Sequence, residues 1–291
     1  MRAPPVVFDR KLVRQRRDRA AKTVDRHDFL FKAAADSLIE RLDFIKRPFA
    51  RVLVLGARDG ALAAQVAARP EVECVVATDL SERLLARGKG PRVALDEELL
   101  PFRDGAFDLV LAPLTLQAVN ELPGALLQIR RALRPDGLLL GALFGGETLT
   151  ELRQAFGAAE IEVEGGMSPR VAPALELRDL AGLLQRAGFA LPVADTERFV
   201  ASYADALALM RELRGMGEAN ALAARRKTFL RRATLAAACA RYAADFGAED
   251  GRVRATFEIV SLAAWAPAPS QPQPLAPGSA TSSLAAALRK E

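Results

Sequence analysis

The chain has 291 residues and a mass of 31.3 kDa, with 51% hydrophobic and 26% charged residues, enough to bury a full core, which excludes disorder over most of its length. Its 41 Lys/Arg against 36 Asp/Glu give +5, but residues 1–32 alone hold ten basic and four acidic side chains, a local +6, so the other 259 residues carry −1 and a general nucleic-acid-binding surface is excluded. A single histidine, His27, and two cysteines 165 positions apart, Cys74 and Cys239, exclude a Cys/His metal cluster and leave any His-based triad without a plausible base.

The Arg-rich opening carries Asp9 and Asp18 and has no apolar run, so it reads as mature sequence and not as a targeting segment. Residues 10–22 are predicted helical, with their basic residues forming a solvated face or a docking surface for an acidic or membrane-proximal partner. Leu30, Ala34, Leu38, Leu42 and Ile45 recur at helical spacing and predict an amphipathic helix over 28–46. From Arg51 short apolar runs at 52–55, 74–77, 107–111 and 138–144 alternate with helical stretches at 61–68 and 81–87. A third helix is opened by Pro123, carries Leu126, Ile129 and Leu133 on one face, and is stopped by a Pro135-Asp136-Gly137 turn. Cys74 is expected as a small core residue of its strand and Cys239 on an Ala-rich helix face, both as reduced thiols.

This alternation predicts βαβ units in a doubly wound, mostly parallel sheet of the α/β class. Further helices are expected at 177–187, 203–213 and 222–244, and a final strand at 253–265. Residues 259–288 are uncharged, but Pro267, Pro269, Pro272, Pro274 and Pro277 make this a Pro-rich linker and not a membrane span. The chain thus divides into an N-terminal basic helical segment (1–46), a main domain (47–265) with a helical insertion at about 200–245, and a C-terminal tail (266–291).

The first strand is followed by Gly56-Ala57-Arg58-Asp59-Gly60, and the second ends in Thr78-Asp79, 23 residues after Gly56. Glycines at a strand-to-helix turn admit a ligand to the backbone, and an acid at the tip of the next strand can accept two ribose hydroxyls. Asp96-Glu97-Glu98 lies where the next crossover delivers side chains to the same edge, suited to an adenine amine. Three strand ends thus point at one adenosine-shaped site. Asp79 as a cap for the helix near Ser81 and residues 96–98 as a solvated turn are the competing readings. The full Gly-x-Gly-x-x-Gly loop of pyrophosphate-binding dehydrogenases is absent.

This arrangement resembles the class I S-adenosylmethionine-dependent methyltransferase superfamily. Several stretches are similar to its branch of mitochondrial complex I assembly factors that act as arginine hydroxylases. They are Phe8-Asp9-Arg10, residues 96–102 (DEELLPF), 144–153 (FGGETLTELR), 164–169 (EGGMSP), 215–220 (GMGEAN), 249–251 (EDG) and 278–281 (GSAT). The resemblance implies a Rossmann-like sheet of seven strands and S-adenosylmethionine as cofactor. It implies Gly56, Ala57, Arg58, Gly60, Asp79, Leu80, Asp96, Glu97 and Ala112 as cofactor-binding positions. It also implies a complex I (NADH dehydrogenase) subunit as protein substrate, modified on an arginine, while the two reduced thiols predict a cytoplasmic protein, with attachment to the membrane only through its partner.

The chain departs from the superfamily pattern in three places. Val54 stands where an acid is usual, Arg58 replaces a glycine, and Gln117-Ala118 replaces an aromatic and a His. An Arg beside a sulfonium and an ammonium weakens binding unless Asp59 supplies the missing charge; Arg58 could instead pair with the ligand's carboxylate or fill the site itself. Gln117 cannot act as a base, and residues 112–115 lack the polar and aromatic members of an amine-methylating motif, so no catalytic residue is assigned. Gly145-Gly146 reads as a tight turn or as part of a substrate pocket in which Glu147, Glu151 and Glu164 accept a guanidinium, and Met216-Gly217 as a junction between helices. Three functions follow: an arginine hydroxylase acting during complex I assembly, a conventional methyltransferase on a small molecule or acyl carrier, and a non-catalytic assembly chaperone with a degenerate cofactor site.

Overall fold

The computed structural model describes residues 6–272. Its strands are β1 (Arg51–Leu55), β2 (Cys74–Asp79), β3 (Arg92–Ala94), β4 (Phe107–Pro113), β5 (Leu133–Phe144), β6 (Ala190–Tyr203) and β7 (Val253–Trp265), joined in one sheet in the order β3-β2-β1-β4-β5-β7-β6. The first five run parallel, and β7 is antiparallel to both β5 and β6. The expected doubly wound, mostly parallel seven-stranded α/β sheet is therefore present. Strand order reverses between β1 and β4, so a crevice opens outside the carboxyl ends of these strands, where such sheets bind ligands.

The helices are α1 (Arg10–Ala20), α2 (Phe29–Asp43), α3 (Ala61–Ala67), α4 (Glu82–Leu85), α5 (Leu122–Ala132), α6 (Thr150–Glu164), α7 (Leu177–Arg186), α8 (Ala206–Met216) and α9 (Arg232–Phe246). The Asp9 side chain caps α1 by accepting from the Leu12 N–H, and Asp205 caps α8 by accepting from Ala208. The core has a layer on each sheet face: α5 and α7 cover one through Leu126, Ile129 and Leu184, and α2 and α3 cover the other through Leu38, Leu42 and Val66. A third cluster joins α6, α8 and α9 to β7 around Phe156, Leu209, Tyr242 and Phe257. Among the described residues no helix is long and apolar enough to cross a membrane.

Several expectations are corrected. Cys74 opens β2 at its solvent-exposed end and is not a core residue. Pro135-Asp136-Gly137 lies inside β5, where Asp136 takes a left-handed φ of 64° and the register with β4 shifts, so the signal marks a strand irregularity and not a turn. Tyr203 closes β6, and α8 begins three residues later. Residues 222–231 lie outside α9, because 221–223 pair with the chain start: the Asp9 N–H donates to the Ala221 carbonyl and the Ala223 N–H to that of Val7. The C-terminal tail, with residues 278–281, lies outside the described residues from position 273 onward.

Candidate functional site

The turn after β1 keeps a left-handed backbone at Gly56, with φ +66°, and packs so closely that a Cβ there would lie 2.4 Å from that of Thr115. Arg58 is also left-handed, φ 51°, a conformation that costs an L-residue about 1–2 kcal/mol and that glycine adopts freely. Its guanidinium is turned inward, 3.5 Å from the centre of the Phe31 ring, and donates to the Met216 carbonyl at 2.7 Å. Burial brings its pKa down to about 10, although Glu218 raises it.

Asp79, at the tip of β2, is fully buried and accepts from the backbone N–H groups of Ser81 (2.8 Å) and Arg58 (3.2 Å). The helix cap is Ser81, whose Oγ accepts from Leu84, so Asp79 is not the cap. Glu97 is equally buried and accepts from the Thr115 hydroxyl at 2.6 Å. Gly56, Ala57, Arg58, Asp79 and Glu97 thus converge on one edge, with Asp96 beside Glu97 and Gly60 opening α3. Leu80 is half-buried next to Asp79, and Ala112 is packed inside the core layer under α5. Asp59 accepts from the Ala61 N–H at 3.2 Å at the start of α3, whose N-cap is Gly60, and forms no ion pair with Arg58's guanidinium among the described residues.

This edge is already filled with cations from α1. Arg17, its side chain only 3% exposed, donates to Glu97 at 3.0 Å, to Thr115 at 3.2 Å and to Asp79 at 3.4 Å. Arg10 donates to Asp96 at 2.6 Å, to the Ala118 carbonyl at 2.9 Å and to Glu97, and lies 3.8 Å from Glu98. Burial alone would push the Glu97 carboxyl up, but Arg17, Arg10 and the Thr115 hydroxyl overcome it and bring the pKa down to about 2. The solvated or docking face expected of the basic helix is therefore corrected for these two residues. Arg10, Val13, Arg17 and Ala20 lie at i, i+3, i+7 and i+10, one helical stripe facing the sheet. A search for apolar periodicity misses such a stripe; the sevenfold spacing of two arginines was its available signal.

A second region adjoins the first. A cavity of about 360 Å³ lies beyond Gln117, walled by Phe8 and Val13 from the chain start and by Leu152, Phe156, Leu213 and Phe257. Its polar lining includes Arg170, Arg214, Asn220 and Glu218. Arg170 is held by Glu160 and Arg214 is exposed. The Gln117 amide donates to the Leu114 carbonyl at 2.9 Å, while its Oε1 is buried and unpartnered. Glu218 has no hydrogen bond to its carboxylate among the described residues, and the nearest cation, Arg58, is 4.0 Å away. Burial pushes the Glu218 carboxyl up, against the attraction of Arg17 and Arg58.

The other acids proposed from sequence are engaged elsewhere. Glu151 is buried and accepts from the Thr256 hydroxyl and N–H, Glu164 accepts from Thr234 and Arg226, and Glu147 lies at the surface 3.6 Å from Arg198. Gly145 lies where a Cβ would come within 2.4 Å of the Glu258 carboxylate, and Gly217 ends α8 with φ +85°. His27 is hydrogen-bonded to Glu212 at 2.7 Å and packs on Gly215.

The sheet order and the crevice define the class I methyltransferase fold, and residues 53–141 match the family model described as a methyltransferase domain. Phosphoethanolamine N-methyltransferase 2 of Haemonchus contortus, solved with S-adenosylhomocysteine, shares this fold with a TM-score of 0.56 at 17% identity, over 88% of this chain and 60% of that one. Within the fold, the chain is 40% identical to the mitochondrial arginine-hydroxylase NDUFAF5 of Danio rerio, over 96% of its own length and 88% of the relative's. It belongs to that arginine-hydroxylase family. It is also 36% identical to the malonyl-[acyl-carrier protein] O-methyltransferase of Laribacter hongkongensis, over 89% of this chain and 90% of that protein.

Proposed function

We propose that the chain binds an arginine side chain of a respiratory complex I subunit in the apolar cavity and takes part in its hydroxylation during assembly, with an S-adenosylmethionine-type ligand at the adjoining sheet edge. One observation carries this reading. Two segments shared with the arginine-hydroxylase branch, 144–153 and 215–220, line the cavity through Phe144, Thr148, Leu149, Leu152 and residues 216–220, and a third, 164–169, adjoins it where the Asn220 amide donates to the Pro169 carbonyl at 2.7 Å. An aliphatic stem with a charged head suits an apolar wall bearing a carboxylate.

The sheet edge fits the nucleoside half of the ligand in kind. Gly56, Ala57 and Gly60 form the turn, Asp79 is the ribose acceptor, and Asp96 and Glu97 flank the adenine. It fits the methionine half poorly: Val54 offers no charge and the Arg58 guanidinium stands at the turn. When bound, S-adenosylmethionine supplies an electrophilic methyl group. The chain's own residues bind and orient the arginine and exclude water from it. We place the protein beside its membrane-bound partner, without a membrane helix of its own among the described residues.

Methyl transfer to a malonyl-carrier substrate is the second reading, favoured by the 36% identity to the Laribacter enzyme. The wall acts both ways on it, because a malonyl carboxylate would be repelled by Glu218 and attracted by Arg214 on the same lining. Mass spectrometry of complex I subunits from a strain lacking this chain tests the first reading. Hydroxyarginine should disappear and return on complementation, and an unchanged level rejects it.

A further inference from the structure

We infer that Glu218 is the guanidinium acceptor of the substrate cavity, the residue that selects arginine over a neutral side chain of the same shape. The inference rests on the proposal that the cavity holds the substrate arginine and adds the group that recognises it. Burying a carboxylate costs several kcal/mol unless hydrogen bonds and a close counter-ion compensate it. The fully buried acids nearby have those partners: Glu97 has two arginines and a hydroxyl, Asp79 two backbone N–H groups and an arginine, and Glu160 has Ser168 and Arg170. Glu218 is half-buried in the cavity wall, its side chain 19% exposed; no donor hydrogen-bonds its carboxylate among the described residues, and its ion-pair partner, Arg58, stands 4.0 Å away.

Its neighbours do not supply the missing contact. Arg58 is held by the Met216 carbonyl and the Phe31 ring, Arg17 by Glu97, Thr115 and Asp79, and Arg170 by Glu160. Arg16 also faces Glu218, with a buried unpartnered guanidinium nitrogen, but no ion pair joins the two within 4.0 Å among the described residues. Of the other lining side chains, Arg214, Asn220 and Gln117 make no hydrogen bond to its carboxylate, and Met210, Leu213 and Phe156 carry no donor. The place is therefore built for a cation that arrives from outside on an apolar stem. An arginine meets both demands, because its planar fork can give a carboxylate two parallel hydrogen bonds. The cavity, about 360 Å³, is within the usual range for a pocket that encloses a ligand group.

The test uses the full chain and two probes, N-acetyl-arginine amide and its neutral counterpart N-acetyl-citrulline amide, titrated by calorimetry or NMR. Wild-type protein should bind the arginine probe at least tenfold more tightly than the citrulline probe. Glu218→Gln should lose that preference, and Glu218→Asp should retain part of it. Equal binding of the two probes by wild type, an unchanged preference in Glu218→Gln, or no binding of the arginine probe would each overturn the assignment. In a deletion strain, Glu218→Gln should restore hydroxyarginine poorly, whereas Asp195→Asn, on the Arg41 surface pair, should restore it fully. Full restoration by Glu218→Gln would reject the acceptor while leaving the hydroxylation reading intact. A deletion strain with normal hydroxyarginine would reject that reading, and the probe titration would still decide whether Glu218 binds a guanidinium.

Discussion

Two regions lie side by side on the carboxyl edge of the sheet, and they treat buried charge in opposite ways. At the ends of β1, β2 and β4 every buried carboxylate is matched: Asp79 and Glu97 are bridged by Arg17, and Asp96 and Glu97 by Arg10. In the cavity one carboxylate, Glu218, lacks a donor. A matched cluster behaves as part of the fold, because its partners are worth more than the water they replace only while all remain in place. An unmatched buried charge is a cost the fold carries, and such costs gather at functional sites. Helix α1 seals both regions, presenting Arg10 and Arg17 to the first and Val13 to the second.

The largest effect should come from breaking the matched side. Arg17→Met leaves Asp79 and Glu97 buried without their bridge, and stability to urea should fall by about 3–5 kcal/mol. A loss below about 1 kcal/mol would show that the cluster opens to water at little cost, and the contrast between the regions would fail. The second effect follows from pH. The Glu97 carboxyl drops from 4.5 in the unfolded chain to about 2 in the fold, so the stability it contributes is complete above the unfolded value and drains away as pH falls towards 2. The amount is on the order of 3 kcal/mol, read as an acid limb in urea midpoints that Glu97→Gln should flatten.

How far the sequence disclosed these regions depends on what each is made of. The parallel strands and the acid at the tip of β2 were legible, because apolar runs and a Gly-flanked turn leave local signals at Val52–Leu55 and Gly56–Gly60. β3, three exposed residues, and β6, an edge strand alternating polar and apolar around Pro192, carry too weak a pattern. The inward turn of Arg10 and Arg17 was hidden because charge on a helix normally means solvent. Only their seven-residue spacing and the acids they meet, 62 to 87 positions away, show otherwise. Glu218 carries no signal of its own in the sequence, since its isolation is a property of packing and not of its neighbours in the chain.

The third prediction sharpens the comparison at its boundary. Asp79 and Glu97 already accept from Arg17 on the oxygens that face it, so an adenosine ligand that takes the same oxygens competes with the docked form of α1. Arg17→Met should therefore bind S-adenosylhomocysteine more tightly than wild type, on the order of tenfold, or about 1.4 kcal/mol. In wild type, adding the ligand should speed amide exchange in α1. Slower exchange there would mean that α1 closes over the ligand with the arginines still bound, and the competition would be rejected.

The smallest effect has the opposite sign and is the most discriminating. The Glu218 carboxyl titrates above its ordinary value, because burial outweighs the attraction of Arg17 and Arg58. A raised acid costs stability as pH climbs past its unfolded value, so Glu218→Gln should match wild type in acid and exceed it at neutral pH. The same substitution at Glu97 should lower stability at neutral pH. Two Glu→Gln changes on one sheet edge thus move the urea midpoint in opposite directions. If both lowered it, Glu218 would be a structural acid like Glu97, already matched by Arg58 across 4.0 Å, and no vacancy for a guanidinium would remain.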